Sequence, residues 1–180
     1  MTIGNHECKQ ALNTSLVQAV AIGVDEALTS LEESFYDLAD DQLQAFPIEG
    51  RNNIAWMVMH ALQNLDKYTN VAHGGAPIFE HQWRWSLWDD NQRPKPGDSF
   101  PARDRMIGWL HALRTEAEKV LARTDKTYLA SKPGGDWPGS VADMYMRTIF
   151  HTASHVRQIW ALRGLLGQVS TRTWPRQHWA

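Results

Sequence analysis

The chain has 180 residues, 43% of them hydrophobic and 21% charged, and its formal net charge is −2. This composition excludes a disordered chain, and the length predicts a single domain, residues 1–180, with a buried core. The charge gives no reason to expect nucleic acid or an anionic membrane as a partner. No apolar run is long enough to span a bilayer, and we expect no signal peptide. The single cysteine, Cys8, cannot form an internal disulfide, so the simplest expectation is a cytoplasmic protein.

Most of the chain has the apolar spacing of amphipathic helices. Apolar residues that recur at threes and fours predict four long helices, at about residues 7–39, 52–71, 102–122 and 140–164. Asn52 or Asn53 is a suitable N-cap for the second helix, and Ser140 opens a capping-box pattern for the fourth. Gly164 or Gly167 can end that last helix in the left-handed conformation. We find no alternation typical of strands. The pattern predicts an all-α protein, either an up-and-down four-helix bundle or a relative with a crossover connection.

A long irregular segment, about residues 73–101, separates the second and third predicted helices. It carries several prolines and a tryptophan cluster at 83–88. Loops of this length are uncommon inside compact domains and are often functional, so the segment is a candidate lid or pocket wall. A helical turn is expected near Phe79–Trp85, and the tryptophans are expected to pack the segment rather than bind a substrate. Residues 125–138 are predicted to form a second loop, and a short helical turn is expected at Asp41–Ala45.

Two histidines, His151 and His155, lie four residues apart in the last helix. This spacing places both imidazoles on one face, where they can bind one metal ion. His60, in the middle of the apolar second helix, is the best candidate for a third ligand. The spacing alone is a weak signal. It is not the zincin motif, because Thr152 occupies the position of the catalytic Glu, and an isolated helical histidine pair is more often structural. Core-facing neighbours favour a metal, since leaving a buried imidazole unsatisfied costs about 1–3 kcal/mol.

Further residues flank these histidines and are candidates for supporting the ligands or contacting a substrate: Trp56, Asn64, Arg147, Thr148 and Gln158. The first two lie one turn on either side of His60. Thr148 and Gln158 lie on the same helical stripe as the histidine pair, where a hydrogen bond can fix an imidazole tautomer. Arg147 or Arg157 would contact an anionic or aromatic substrate.

Two of these motifs resemble those of a known family. The stretch Gly50–His60 resembles the second-helix signature of the DinB-like superfamily. The stretch His151–Ile159 resembles its fourth-helix signature, and Leu162–Leu165 also fits. The resemblance implies a four-helix bundle of up-down-down-up topology, with a long crossover between helices 2 and 3. It also implies a divalent metal, commonly zinc or nickel, bound by the three histidines. Arg157 departs from the pattern, since family members often have glycine there, and it lies either beside the site or on the opposite face.

The resemblance also implies a function. Members of known activity include S-transferases that use low-molecular-weight thiols and a mycothiol-dependent maleylpyruvate isomerase. We therefore expect a divalent-metal-dependent enzyme, specifically a thiol S-transferase acting on a small molecule, and a homodimer. The alternative is a non-enzymatic, metal-stabilised stress-response or binding module, and DNA contact is a third interpretation that the charge disfavours. The remaining histidines are expected to have surface or structural roles: His6, His73, His81, His111 and His178.

Overall fold

The computed structural model describes residues 4–79, 93–133 and 137–168, with only the helical backbone for residues 4–15. These residues form six α-helices: α1 Gly4–Phe35, α2 Asp40–Gln44, α3 Ile54–Leu65, α4 Arg103–Ala122, α5 Lys126–Ala130 and α6 Val141–Leu165. The described residues contain no strand, so the all-α prediction is confirmed. Within the same ranges, no helix is both long and apolar enough to cross a membrane.

The start of α3 and both ends of α6 lie where local side-chain chemistry predicts. Asn53 caps α3, because its side-chain oxygen accepts a hydrogen bond from the Trp56 amide at 2.9 Å. Ser140 and Asp143 form a reciprocal capping box at the start of α6, with bonds of 3.2 and 2.8 Å. Beyond the end of α6, Gly167 has a φ of 68°, a left-handed conformation that favours glycine. These contacts hold α3 and α6, the two helices that carry the candidate ligands.

Three boundaries differ from the sequence prediction. The first helix ends at Phe35, not near residue 39. The second is α-helical only to Leu65 and continues as a π-helical turn, Asp66–Asn70, and a 3-10 turn, Val71–His73. The predicted loop at 125–138 contains α5, whose N-cap Asp125 accepts a hydrogen bond from a backbone amide of the first turn at 2.7 Å. The short helical turn expected after α1 is present as α2.

The π-helical turn is held by a buried carboxylate. Asp66 accepts a hydrogen bond from the Asn70 side chain at 2.8 Å and from the Ile78 amide at 3.3 Å. Asn70 also donates to the Ala76 carbonyl at 2.7 Å. A Cβ atom on Gly75 would lie 1.6 Å from Asn70 Oδ1, so this close approach requires glycine. These contacts fold the start of the long segment back onto the π-helical turn that follows α3.

The long segment is described only at its two ends. Residues 74–79 and 93–102 are irregular, as predicted. The tryptophan cluster at 83–88 lies outside the described residues, as does most of the helical turn expected near Phe79–Trp85. The proposed lid therefore remains a prediction.

One apolar cluster joins the six described helices. Each helix contributes at least one side chain that is almost completely buried: Leu31, Leu43, Val58, Leu110, Leu129 and Ile159. Burying an aliphatic side chain of this size stabilises a fold by about 1.5–3 kcal/mol. α6 packs against both α1 and α3. The cluster therefore fixes α3 beside α6 and brings together two parts of the chain that are far apart in sequence.

A buried ion pair also fixes α6. Arg163, whose side chain is 1% exposed, donates to the Asp37 carboxylate at 2.6 and 3.1 Å. It also donates to the Ser34 carbonyl at 3.0 Å, and its guanidinium lies 4.6 Å from the centre of the Trp160 ring. Breaking a buried pair by removing one partner costs about 3–5 kcal/mol. The pair ties the C-terminal end of α6 to the end of α1.

Candidate metal centre

Three imidazoles from α3 and α6 meet at one point. His60 Nε2 lies 3.1 Å from His151 Nε2, and His155 Nε2 lies 3.2 Å from the same atom. All three ligand atoms lie within 4.8 Å of one another. His60 is 8% exposed, and the other two side chains are half-buried. The convergence expected from the sequence is therefore present.

Two of the three separations between these nitrogen atoms match those of ligands on one divalent transition metal. Imidazole nitrogens bind zinc at about 2.0–2.1 Å, so two neighbouring donors on one ion lie about 3.0–3.4 Å apart. The distances of 3.1 and 3.2 Å fall in that range. Metal ions are commonly bound by His, Cys, Asp and Glu side chains. Within the described part of the chain, these three histidines are such side chains that lie close enough together to share an ion. His60, His151 and His155 are thus the residues that could hold a metal.

Two neighbours orient the imidazoles. The Gln158 side-chain oxygen lies 2.9 Å from His155 Nδ1. When that oxygen accepts the Nδ1 proton, the lone pair of the ring is on Nε2, the nitrogen that faces the other two histidines. The Trp56 ring stacks on the His60 ring, with centroids 4.8 Å apart and an angle of 8° between the planes. Gln158 and Trp56 therefore contact the candidate ligands directly, as the sequence suggested.

Two other candidates occupy different surroundings. The Thr148 hydroxyl donates to the Met144 carbonyl at 3.0 Å, within its own helix. This bond directs the proton of Thr148 along α6 and not toward an imidazole. Asn64 is half-buried one turn after His60 and does not line the cavity described below.

A cavity of about 380 Å³ opens beside the three histidines. It is lined by the three histidines and their two neighbours, together with Arg51, Asn52, Met57 and Arg93. Small-molecule sites commonly have volumes of about 300–1,000 Å³. The candidate ligands therefore border a space that a small molecule can enter.

The cations at this cavity are not the ones that the sequence suggested. Arg51 and Arg93 line the cavity, whereas Arg147 and Arg157 are exposed elsewhere on α6. The Arg147 guanidinium lies 5.2 Å from the centre of the Trp137 ring, and helical spacing places Arg157 on the side of α6 away from the histidine pair. Arg51 could have been found by its position two residues before the N-cap of α3. Arg93 comes from the long segment and has no local signal.

The fold and site together define a class: an all-helical protein with a candidate three-histidine metal centre between two helices. The family model of the DinB superfamily matches residues 24–159, more than two thirds of the chain. The chain therefore belongs to the DinB superfamily, and the resemblance inferred from the two motifs is confirmed.

Two further comparisons complete this picture. No curated protein matches the chain. Among solved structures, the "conserved protein of locus" from Enterococcus faecalis is similar, with a TM-score of 0.62 and 16% identity. The match covers 84% of this chain and 97% of that one. At this identity the likeness shows the fold alone.

Proposed function

We propose that the chain is a divalent-metal-dependent enzyme whose ion is held by His60, His151 and His155. The observation that carries the proposal is the convergence of their Nε2 atoms, 3.1 and 3.2 Å apart, beside a cavity of about 380 Å³. Three imidazoles suit zinc or nickel, and they leave further coordination positions open. A divalent ion bound there would lower the pKa of a water or thiol in its open position.

The specific reaction we propose is S-transfer from a low-molecular-weight thiol. The thiol sulfur attacks an electrophilic carbon of the second substrate, a C–S bond forms, the leaving group departs as an anion, and the thiol proton goes to solvent. The cavity beside the histidines supports this proposal, because a thiol and an electrophile must meet there. The Gln158 oxygen is placed to accept a proton from His155 Nδ1, and the Trp56 ring covers one face of His60 and excludes water from it.

We further propose an up-down-down-up topology with its crossover between α3 and α4, a single domain and a homodimer. The apolar cluster that joins all described helices supports the single domain. Two exposed apolar side chains, Phe150 at 65% and Ile22 at 55%, support an interface between copies. Light scattering that gives the mass of one chain at micromolar concentration would contradict the dimer.

Metal analysis of purified variants tests the site. We expect about one equivalent of metal per chain in the wild type and less than about a tenth of that in His151→Ala, because two imidazoles bind far more weakly than three. His111→Ala is the matched control, since this exposed histidine lies on α4 beside Glu32 and away from the site. A wild type without metal, even after incubation with zinc or nickel, would contradict the proposal.

Thiol kinetics test the reaction. The metal-loaded protein is incubated with 2-mercaptoethanol, glutathione or bacillithiol and with 1-chloro-2,4-dinitrobenzene. We expect a rate above background that disappears with a chelator and in His151→Ala but is retained in His111→Ala. Full metal occupancy with no metal-dependent rate for any of these thiols would contradict the S-transferase proposal.

A non-enzymatic, metal-stabilised module is the second candidate. The observation that favours it is the contact between His60 on α3 and His151 on α6, through which an ion would tie two helices together. A module of this kind would have a melting temperature that falls when a chelator removes the metal. It would show no thiol-transfer activity at any substrate concentration. When the free metal concentration is 100 times the dissociation constant, binding stabilises the folded state by about 2.7 kcal/mol.

A further inference from the structure

The cavity beside the histidines has a charge opposite to that of the whole chain. The formal net charge of the protein is −2. Two arginines, Arg51 and Arg93, line the cavity, and no carboxylate is found among its described lining residues. The three imidazoles that complete the lining carry no negative charge in any protonation state. A ligand that enters this cavity therefore meets a locally cationic surface.

Both guanidinium groups have donors left for a ligand. Arg93 Nη1 donates to the Gly50 carbonyl at 2.7 Å, which holds the side chain at the cavity. A guanidinium has five N–H donors, so most of those on Arg93 are not used by this bond. Neither Arg51 nor Arg93 forms an ion pair with a carboxylate in the described parts of the chain.

The start of α3 adds to this positive potential. Asn52, Trp56 and Met57 line the cavity, so it reaches the first turn of a 12-residue helix. The N-terminal end of a helix carries a partial positive charge. Arg51 lies at the same end. The helix dipole and the Arg51 guanidinium therefore both make the electrostatic potential in the cavity more positive.

We propose that the cavity selects substrates that carry a carboxylate, which Arg51 and Arg93 bind while the reacting atom lies at the histidines. The inference rests on the proposed function, whose substrate class it narrows. Arginine is suited to this role because its planar fork matches the two oxygens of a carboxylate. Because both side chains are exposed, solvent screens each interaction, and the preference is about tenfold per arginine at most.

The test compares two thiols of similar size, one with a carboxylate and one with an uncharged carboxamide. Mercaptoacetate and 2-mercaptoacetamide are titrated into the cobalt-loaded protein, and the sulfur-to-cobalt absorption band reports binding, with each affinity corrected for the thiol's own ionisation. We expect the wild type to bind mercaptoacetate about tenfold more tightly at low salt. Arg51→Gln and Arg93→Gln each reduce that preference, the double variant reduces it further, and Arg51→Lys retains part of it.

Arg157→Gln is the matched control. It also removes one arginine charge, but from a residue on α6 that does not line the cavity. Metal content is measured for each variant, so that a lost ion is not mistaken for a lost contact. An equal loss of affinity for both thiols, or the same loss of preference in Arg157→Gln, would overturn the proposal.

A second ligand pair separates this inference from the proposed function. If the metal-loaded wild type shows no sulfur band, the S-transferase proposal fails. Succinate and succinamide, which carry no thiol, are then titrated by calorimetry. A preference for succinate that Arg51→Gln and Arg93→Gln remove supports the carboxylate site by itself, and equal affinities for the two compounds overturn it.

Discussion

Two side-chain clusters among the described residues use histidine nitrogens in opposite ways: the candidate metal centre, and His73 with Tyr128 and Tyr145. His73 has an oxygen beside each nitrogen: the Tyr128 hydroxyl lies 2.7 Å from Nδ1, and the Tyr68 carbonyl lies 2.8 Å from Nε2. Its ring stacks on Tyr145, with centroids 4.8 Å apart. In the candidate metal centre, by contrast, the Nε2 atoms lie next to one another at 3.1 and 3.2 Å. Ring nitrogens that form hydrogen bonds with oxygens cross-link the structure, whereas ring nitrogens that converge on one point are suited to binding one ion.

The surroundings of His73 favour its neutral form. Burial lowers its pKa below the usual value of 6.5, and the nearby Arg123 lowers it further, against the opposing hydrogen bond to Tyr68. Burial also raises the pKa of its neighbour Tyr145 far above the usual range. A neutral imidazole between two tyrosines serves packing, as expected for this histidine from the sequence.

The largest expected difference between the clusters is in metal affinity. We expect His60→Ala to weaken zinc binding by at least about 100-fold, because it removes one of three ligands. His73→Phe should leave the affinity unchanged, since it keeps the ring on Tyr145 and lies outside the site. Competition with a chromophoric chelator measures both. Equal weakening in the two variants would show that the clusters do not differ as described.

The next largest expected effect distinguishes a metal ligand from a residue that orients it. Gln158→Ala removes the oxygen 2.9 Å from His155 Nδ1 and should weaken metal binding by about 10–100-fold. Gln158→Glu, which keeps an acceptor at this position, should retain most of the affinity. The same chelator competition applies. If the alanine variant binds as tightly as the wild type, Gln158 does not orient the imidazole.

A smaller effect concerns stability. His73→Phe removes both hydrogen bonds of the structural cluster and should lower the free energy of unfolding by about 1–3 kcal/mol, because the Tyr68 carbonyl loses its partner. Urea denaturation in the presence of a chelator measures this loss without a metal contribution. His111→Phe, at an exposed position, is the control and should change stability by less than about 0.5 kcal/mol.

The smallest expected effect is the pH dependence of the stabilisation by His73. Because the pKa of His73 is lower in the folded state than its usual 6.5, the unfolded chain binds more protons as the pH falls below that value. The stabilisation by His73 is therefore complete above this pH and is lost as the pH falls through the folded pKa. The stability difference between wild type and His73→Phe should shrink between about pH 8 and pH 5. A difference that is constant over this range would contradict the lowered pKa.

Local features of the sequence predicted the starts of α3 and α6 well and the turn after α3 poorly. Asn53 and Ser140 were recognised because a cap needs only residues within one turn. The π-helical turn was missed because it depends on Asp66 reaching the Ile78 amide, 12 residues further along the chain. The buried pair of Arg163 with Asp37 was missed for the same reason, since its two partners are 126 residues apart.

The sequence by itself determined the four long helices, the shared face of His151 and His155, and membership of the DinB superfamily, because periodicity, capping and motif spacing are local properties of the chain. Only the tertiary structure decided that His60 lies 3.1 Å from His151, 91 residues away, and that Arg51 and Arg93 rather than Arg147 and Arg157 line the cavity. The physical reason is that these distances depend on how α3, α6 and the long segment pack together. No spacing within a single helix encodes that arrangement.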